Sequence, residues 1–370
     1  MIIRSVWKDI IINMNKKAVT FIKMLCLTVA LLFLLVQSGL VGKRDKGGQE
    51  ASGAYAMYDF AMGTSFSLEI YGEDGKAVAQ QCMDIVKDID EKYLSRRTDT
   101  SELFIVNQSL QSDQTVEISD ELYTVLDKTN AVCEASNGAF DFTILPVSSL
   151  WNIEDADIDT FAVPEDYEIQ VALQKIGYMH VDLSESNNAY VVSTNTSEME
   201  FELGAVGKGY VLDELREYLQ NQSSVTGAVI HAGGSVLVYG TKDDGTAWKI
   251  GVRDPKGNVD DIIGYLEYEA GTTICVSTSG DYEKYIEKDG IRYHHIIDAI
   301  SGRPADAGLA SVTVICEDGL YSDALSTACF ILGYEKSLPL LKQFDAEAVF
   351  IDHDNHVVCT DGIANQYHSL

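Results

Sequence analysis

The stretch from Ser277 to Pro304 is the one around which the chain is organised. It has two parts, STSGDYEKY (residues 277–285) and YHHIIDAISGRP (residues 293–304). Small hydroxyl side chains precede Gly280, where the absence of a Cβ atom lets the backbone approach a ligand closely. Two of the seven histidines, His294 and His295, are adjacent in the second part. Side chains alternate between the faces of a strand, so the stretch predicts a site that only one of the two imidazoles faces.

A second polar pattern follows within one helix length, at SDALST (residues 322–327). We predict a helix from Asp323 to Leu332, on which Asp323 and Thr327 share one face. A carboxylate and a hydroxyl on one face suit a hard, oxygen-preferring cation such as Mg²⁺. The ordinary alternative is that Asp323 is an N-cap.

Glycines mark two further motifs. In ELGAVGKGYVLD (residues 202–213), three glycines surround Lys208 where a helix is predicted to begin. Free N–H groups and the positive end of the helix dipole favour an anion there, although Lys208 could also be a solvated helix lysine. In VIHAGGSV (residues 229–236), paired glycines break a predicted strand, which indicates a bulge or the close approach of a ligand.

Charged side chains in two other segments need partners. Asp141 lies in the apolar motif GAFDFTILP (residues 138–146), where an unpaired carboxylate is costly. It therefore requires either backbone N–H groups or a donor on a ligand. Arg96 and Arg97, in YLSRR (residues 93–97), could face phosphate or could be plain surface residues.

These motifs, together with MGT (residues 62–64), resemble in type and order those of the FAD:protein FMN transferase (ApbE) family. The family carries three motifs in a fixed order. TSGDY and HxIDPxxGxP correspond to the two parts of the first stretch, residues 277–285 and 293–304, and DAxxTA corresponds to the segment that begins at Asp323. One departure is Ala299, where the family has proline; it loosens a turn but removes no reactive group. The resemblance covers nearly all of residues 55–370 through six motifs in the same order.

The resemblance implies the transfer of FMN. A Thr or Ser hydroxyl of an acceptor protein attacks the FMN phosphorus of FAD, and AMP leaves. It also implies Mg²⁺ held by Asp323, Thr327 and the Ala205 carbonyl. His295 is the expected general base, because an unperturbed imidazole titrates near neutrality, with His294 as its competitor.

Further site residues follow from the same resemblance. Lys208 is expected to act beside His295 as a catalytic residue. The expected FAD contacts are Met62, Ser95, Asp141, Lys208, Thr278, His295 and Asp298. Two other functions remain open: a metal-dependent FAD pyrophosphatase that uses water and releases FMN and AMP, and an extracytoplasmic flavin-binding protein without turnover. The presence of His295, Asp323 and Thr327 weighs against the latter.

The composition and the net charge limit which ligands and macromolecules the chain can bind. The chain of 370 residues is 46% hydrophobic and 23% charged, as in globular proteins. Its net charge of −30 argues against nucleic acid as a partner. The same charge would repel FAD unless a metal ion and local cations reverse the field at the site. The seven cysteines show no CxxC or zinc spacing, so we expect buried free thiols and no required disulfide.

The N-terminus has the pattern of a targeting segment. Lysines at positions 16, 17 and 23 precede an apolar run at residues 24–36, which predicts a secretory signal or a membrane anchor. Lysines on that side place the remaining chain outside the cytoplasm, attached to the cytoplasmic membrane, or secreted if the segment is cleaved. No cysteine follows the run, so a lipoprotein is not expected. We assign residues 1–42 to this segment and residues 43–54 to a linker.

Residues 55–370 are expected to form one catalytic domain. Strands and helices alternate without the βαβ rhythm of a doubly wound sheet, which predicts an α+β fold with a mixed, largely antiparallel sheet packed with helices. We also predict a buried strand at residues 311–316 and a hairpin at residues 348–360. Residues 152–170, acidic and without periodicity, are expected to be an irregular surface insertion.

Overall fold

The computed structural model describes residues 53–111, 115–186 and 189–370. The predicted membrane segment, residues 1–42, and most of the predicted linker, residues 43–54, lie outside the described residues. Within the described ranges, no helix has both the length and the apolar character needed to cross a membrane.

Helices and strands alternate along the described chain. The helices are α1 (Gly75–Ile89), α2 (Glu102–Leu110), α3 (Asp120–Ala135), α4 (Leu145–Trp151), α5 (Asp166–Leu173), α6 (Gly207–Gln220), α7 (Gly319–Leu332) and α8 (Tyr334–Gln343). The strands are β1 (Tyr55–Ala61), β2 (Thr64–Gly72), β3 (Val116–Ile118), β4 (Val181–Ser186), β5 (Ala189–Thr194), β6 (Val225–Ala232), β7 (Ser235–Gly240), β8 (Trp248–Arg253), β9 (Ile262–Tyr268), β10 (Ile274–Gly280), β11 (Tyr285–Lys288), β12 (Ile291–His294), β13 (Ile297–Asp298), β14 (Arg303–Pro304), β15 (Leu309–Cys316), β16 (Glu347–Asp352), β17 (Val357–Cys359) and β18 (Tyr367–Ser369).

The main sheet has eight strands in the order β1-β2-β6-β7-β10-β15-β16-β17, and each neighbouring pair is antiparallel. The three-stranded sheets β3-β5-β4 and β18-β9-β8 are also antiparallel. The predicted α+β class with a largely antiparallel sheet is therefore confirmed. The predicted hairpin near the C-terminus is confirmed by the pairing of β16 with β17.

Apolar layers cover both faces of the main sheet. On one face, α1, α6 and α7 bury side chains such as Leu212 and Leu325 against Leu68. On the other face, Val276 packs in a cluster with Trp248 of the β18-β9-β8 sheet. Because β15 has strands on both sides and apolar layers on both faces, all of its residues are buried, which confirms the predicted buried strand.

Most of residues 152–170 are irregular and exposed, as predicted for a surface insertion, but the segment differs from that prediction in two respects. The segment leads into α5, whose first turn lies inside this range. Ile153, Phe161 and Ile169 are buried in an apolar cluster with Trp151. The apolar residues are too widely spaced among acidic ones to show a helical or strand period, so the sequence pattern hid their burial.

α7 begins one turn earlier than predicted, at Gly319 rather than at Asp323. Asp318 is the N-cap, and its carboxylate accepts a hydrogen bond from the Tyr321 N–H at 3.0 Å. Asp323 therefore lies in the second turn, and the N-cap explanation of its carboxylate does not apply. Thr327 follows one turn later on the same face.

The backbones of α6 and α7 touch where the helices cross. A Cβ atom at Gly209 would lie 2.0 Å from the carbonyl oxygen of Gly319 and 2.8 Å from Cβ of Asp323. Asp213, one turn further along α6, accepts hydrogen bonds from the N–H groups of Gly319 and Leu320 at 2.8 and 3.0 Å. Gly209 thus permits the close approach, and Asp213 satisfies N–H groups at the beginning of α7.

We expect Gly209→Ala to lower the free energy of unfolding by about 1–3 kcal/mol or more, because the added methyl group has no space beside the α7 backbone. Urea denaturation measures the change. Gln220→Ala, at an exposed position on the same helix, is the control and should change the free energy by less than about 0.5 kcal/mol. Equal stability of the two variants would contradict the close crossing.

Candidate active site

The turn between β1 and β2 lies against the beginning of α6, and the turn between β6 and β7 lies against β2. The methyl group of Met62 is 3.2 Å from the place that a Cβ atom of Gly207 would occupy. Thr64 Oγ1 is 2.6 Å from the corresponding place at Gly233, whose φ is +57°. Gly233 and Gly234 connect β6 to β7 as a two-residue hairpin turn. The strand break predicted from these glycines is therefore a tight turn packed against the chain itself.

Two other elements hold Asp323, β7 through Ser235 and α6 through Lys208 and Gly209. Its Oδ1 accepts a hydrogen bond from Ser235 Oγ at 3.1 Å, and its Oδ2 accepts one from the Gly209 N–H at 3.1 Å. The Lys208 ammonium lies 3.2 Å from the same Oδ2. Only 4% of the residue is exposed, so these partners replace the water that the buried carboxylate has lost.

Lys208 is not a solvated helix lysine. Its Nζ donates to the carbonyl oxygen of Gly204 at 2.9 Å as well as contacting Asp323. The side chain is 23% exposed. A cationic group therefore lies between a carboxylate and a backbone carbonyl, which are the kinds of ligand that a hard metal ion also prefers.

A row of hydroxyl groups joins β10 to α7. Ser279 Oγ lies 2.8 Å from Ser326 Oγ and 3.1 Å from Thr327 Oγ1. Thr278 points to the opposite face of the strand, where its Oγ1 lies 2.8 Å from Thr313 Oγ1. The structure thus brings Ser279, rather than the side chain of Thr278, to the face that carries Thr327.

These oxygen atoms fit a magnesium ion. Asp323 and Thr327 lie on one face of α7, and in the described part of the chain no hydrogen bond reaches the carbonyl oxygen of Ala205. The described residues contain no group of three or more His, Cys, Asp or Glu side chains that could hold a metal. One carboxylate with neutral oxygens suits Mg²⁺, which keeps waters and binds substrate phosphates.

The two histidines point to different surroundings, as the strand alternation predicts. His294 is buried, with Nε2 donating to the Ala305 carbonyl at 2.9 Å and its ring edge against Phe330. His295 is half-buried, and its Nδ1 lies 3.2 Å from the Lys284 carbonyl oxygen. Because a carbonyl oxygen only accepts, Nδ1 carries the proton and Nε2 has a free lone pair.

Burial and the Lys284 ammonium lower the pKa of His295 to about 4. The imidazole is therefore neutral near pH 7. Burial also lowers the pKa of His294, but that ring is enclosed in the protein interior with its Nε2 bonded to Ala305. Of these two histidines, His295 is the one that combines a neutral ring, a fixed tautomer and partial exposure, which are the properties of a general base.

Arg96 is part of an ion-pair chain rather than a plain surface residue. Its Nε contacts the Glu202 carboxylate, and its Nη2 lies 3.3 Å from Glu154 Oε2. Glu154 Oε1 in turn accepts a hydrogen bond from Lys284 Nζ at 2.5 Å. Burial raises the pKa of Glu202. The pairs connect the segment before α6 with the hairpin that precedes His295.

Asp141 obtains its partners from the chain itself. Its Oδ1 accepts hydrogen bonds from the Thr143 N–H at 2.8 Å and the Thr143 hydroxyl at 2.7 Å. Its Oδ2 accepts one from the Tyr178 N–H at 2.8 Å. Burial raises the pKa of this carboxyl. Of the two kinds of partner that the sequence left open, the structure supplies backbone N–H groups, and a contact with FAD stays a prediction.

Asp298 and Ser95 each organise a local turn. Asp298 accepts hydrogen bonds from the N–H groups of Ile300 at 2.9 Å and Ser301 at 3.3 Å, so the turn forms without a proline. Ser95 Oγ accepts one from the Thr98 N–H at 3.2 Å. These contacts fix the two loops, and the role of either residue toward FAD also stays a prediction.

Sequence reasoning missed the residues that join these clusters: Glu154, Glu202, Ser235, Ser279 and Lys284. Ser279 could have been found, because strand alternation separates it from Thr278. Ser235 directly follows the glycine pair of the β6–β7 turn. Glu154 gave no signal, since the segment around it is acidic throughout.

A family model described as the ApbE family matches residues 62–350. Among curated proteins, the chain is 31% identical to an FAD:protein FMN transferase of Treponema pallidum over 346 residues, covering 90% of this chain and 93% of that protein. It is also 31% identical to one of Klebsiella pneumoniae over 305 residues, covering 82% and 91%.

Solved structures show the same likeness. An ApbE protein from Thermotoga maritima superposes with a TM-score of 0.76 at 30% identity, covering 85% of this chain and 100% of that chain. The flavin transferase ApbE from Vibrio cholerae superposes with a TM-score of 0.71 at 25% identity, covering 85% and 99%.

Proposed function

This chain belongs to the ApbE family, and from that premise we propose that it moves the FMN part of FAD onto a Thr or Ser hydroxyl of an acceptor protein, dependent on Mg²⁺. The acceptor oxygen forms a bond to the FMN phosphorus while the bond to the bridging pyrophosphate oxygen breaks. The leaving AMP takes that electron pair. The chain must supply a base for the hydroxyl proton and charge for the phosphates.

The proposal rests mainly on the tautomer and the protonation state of the His295 ring. Its Nδ1 donates to the Lys284 carbonyl, which leaves the Nε2 lone pair free to accept the hydroxyl proton. Its low pKa keeps the ring unprotonated at neutral pH. The protein therefore holds this side chain in the protonation state and tautomer that a general base requires.

The groups that would neutralise the negative charge of the pyrophosphate lie at the beginning of α6 and on α7. Asp323, Thr327 and the carbonyl of Ala205 would hold Mg²⁺, which when bound offsets the charge of the pyrophosphate and orients it. Lys208 lies at the beginning of α6, where the positive end of the helix dipole also favours an anion. The chain thus offers a compensating cation although its overall charge is negative.

The remaining predicted FAD contacts are kept as proposals: Met62, Ser95, Asp141, Lys208, Thr278, His295 and Asp298. The polar side-chain atoms of Asp141 and Thr278 bind groups of the chain itself. For these two residues we therefore propose an indirect role, in which each holds the loop or strand whose neighbours meet the flavin.

Hydrolysis competes with transfer at the same site. The Nε2 of His295 would accept a proton from water as well as from a protein hydroxyl, which would release FMN and AMP. Mass spectrometry of a candidate acceptor incubated with the chain, FAD and Mg²⁺, together with quantification of free FMN, separates the two reactions. Acceptor mass increased by FMN supports transfer, and free FMN without modified acceptor contradicts it.

We also propose that the domain acts outside the cytoplasmic membrane, held there by the segment at residues 1–42. The proposal rests on the basic flank, the apolar run and the linker of the sequence. Protease added to intact protoplasts should digest the domain, and a mature form beginning near residue 40 would indicate cleavage and secretion. A domain protected in intact cells and degraded only after lysis would exclude an extracytoplasmic site.

Replacing Asp323 tests the metal site. Asp323→Asn should lower the rate of FMN transfer about 100-fold or more and remove the effect of Mg²⁺ on FAD affinity, because the metal loses its one charged ligand. Equilibrium FAD titration with and without Mg²⁺ measures the second effect. Asp306→Asn, at an exposed position, is the control. Wild-type Mg²⁺ dependence in Asp323→Asn would show that the metal binds elsewhere.

Replacing each histidine tests the base. His295→Ala should lower kcat for transfer on the order of 10²–10⁴-fold, whereas His294→Ala should mainly lower the melting temperature. In the wild type, kcat/KM should decrease on the acid side only as pH falls through about 4, since the neutral ring is the active form. An acid limb near pH 6.5, the ordinary histidine value, would contradict the assigned environment.

A further inference from the structure

Glu154 connects two parts of the site that are distant in sequence. Its Oε1 accepts from Lys284 Nζ at 2.5 Å, and its Oε2 lies 3.3 Å from Arg96 Nη2 and 3.5 Å from Arg97 Nη2. Arg96 continues to the Glu202 carboxylate. We call the chain Lys284–Glu154–Arg96–Glu202 the ion-pair bridge. It runs from the β11–β12 hairpin to the segment that leads into α6.

Lys284 is held at both ends. Its ammonium is fixed by Glu154, while its carbonyl oxygen accepts from the His295 N–H at 3.0 Å and faces His295 Nδ1 at 3.2 Å. The pair extends the β11–β12 ladder by one step beyond Tyr285 and His294. Any shift of Lys284 therefore changes both the backbone position of His295 and the acceptor that selects its tautomer.

We propose that Glu154 is a positioning residue, which acts through Lys284 to hold the His295 base at a fixed place relative to the cation-binding segment at residues 202–209. The proposal rests on the transferase function proposed above. Base and phosphate-binding groups must keep their spacing for in-line attack, and a misplacement of about 1 Å can cost about 100-fold in rate.

A plain surface ion pair is the alternative reading of Glu154, and such pairs contribute little to stability. Two observations favour positioning. Glu154 contacts three cations rather than one, and one of its partners also binds the proposed base. Desolvation raises the pKa of the Glu154 carboxyl, but the hydrogen bond from Lys284 and the charges of Lys284 and Arg96 outweigh it, so the pKa is lowered.

The matched variants are Glu154→Gln and Asp155→Asn, which remove the same charge from adjacent positions. Asp155 pairs with Arg97 at 2.7 Å and has no ion pair with Lys284 or Arg96 among the described residues. We expect Glu154→Gln to lower kcat for transfer about 10- to 100-fold with a smaller effect on the KM for FAD. Asp155→Asn should stay within about twofold of the wild type.

A double-mutant cycle tests whether the effect passes through Lys284. If it does, Glu154→Gln should lower kcat by less than about twofold in a Lys284→Met background, because the contact that it breaks is already gone. Fully additive effects of the two substitutions would overturn the proposal. Should Glu154→Gln fold poorly by circular dichroism, Glu154→Asp, which shortens the side chain by one methylene, replaces it in the cycle.

Nitrogen-15 NMR of histidine-labelled full-length protein gives a readout that does not depend on activity. The His295 ring nitrogens should report an Nδ1–H tautomer in the wild type and in Asp155→Asn, and a mixture of tautomers in Glu154→Gln. The titratable groups around His295 are Lys284, Glu154 and His294. Unchanged His295 shifts in Glu154→Gln would refute the positioning role. Absence of FMN transfer by the wild type would instead refute the proposed function.

Discussion

The contact between the backbones of α6 and α7 is the constraint on which the rest of the site depends. Only a residue without a Cβ atom fits at Gly209, because the carbonyl of Gly319 occupies that space. The crossing brings the Gly209 N–H to the Asp323 carboxylate and lets Asp213 satisfy the first N–H groups of α7. A helix beginning that favours anions and a helix face that carries oxygen ligands therefore meet at one place.

The electrostatics of the site resolve a conflict that the composition creates. A chain with a net charge of −30 repels a pyrophosphate substrate. Two of its carboxylates hold cations: the buried Asp323 holds Lys208, and Glu154 holds Arg96 and Lys284. These cations are fixed before any substrate arrives, so little reorganisation is required when negative charge enters. Local pairing rather than net charge sets the field at the site.

The sequence predicted what depends on local periodicity and on short motifs. Strand alternation separated His294 from His295, and helical spacing placed Asp323 and Thr327 on one face. It did not predict contacts that arise from tertiary packing. The beginning of α7 lay one turn earlier because Asp318, not Asp323, caps it. Ile153 and Phe161, which flank Glu154 in the sequence, are buried in one apolar cluster, and this burial places Glu154 beside Arg96 and Lys284. An acidic segment gives no periodic signal for such burial.

A crystal structure of this chain with Mg²⁺ and FAD would show whether the α6–α7 crossing assembles a cation site directed at phosphate. We expect the metal between the Asp323 carboxylate, Thr327 Oγ1 and the Ala205 carbonyl, with a pyrophosphate oxygen as a further ligand and His295 Nε2 facing the FMN phosphorus. A metal bound away from α7, with the Lys208 ammonium still on Asp323 and FAD bound elsewhere, would contradict the account.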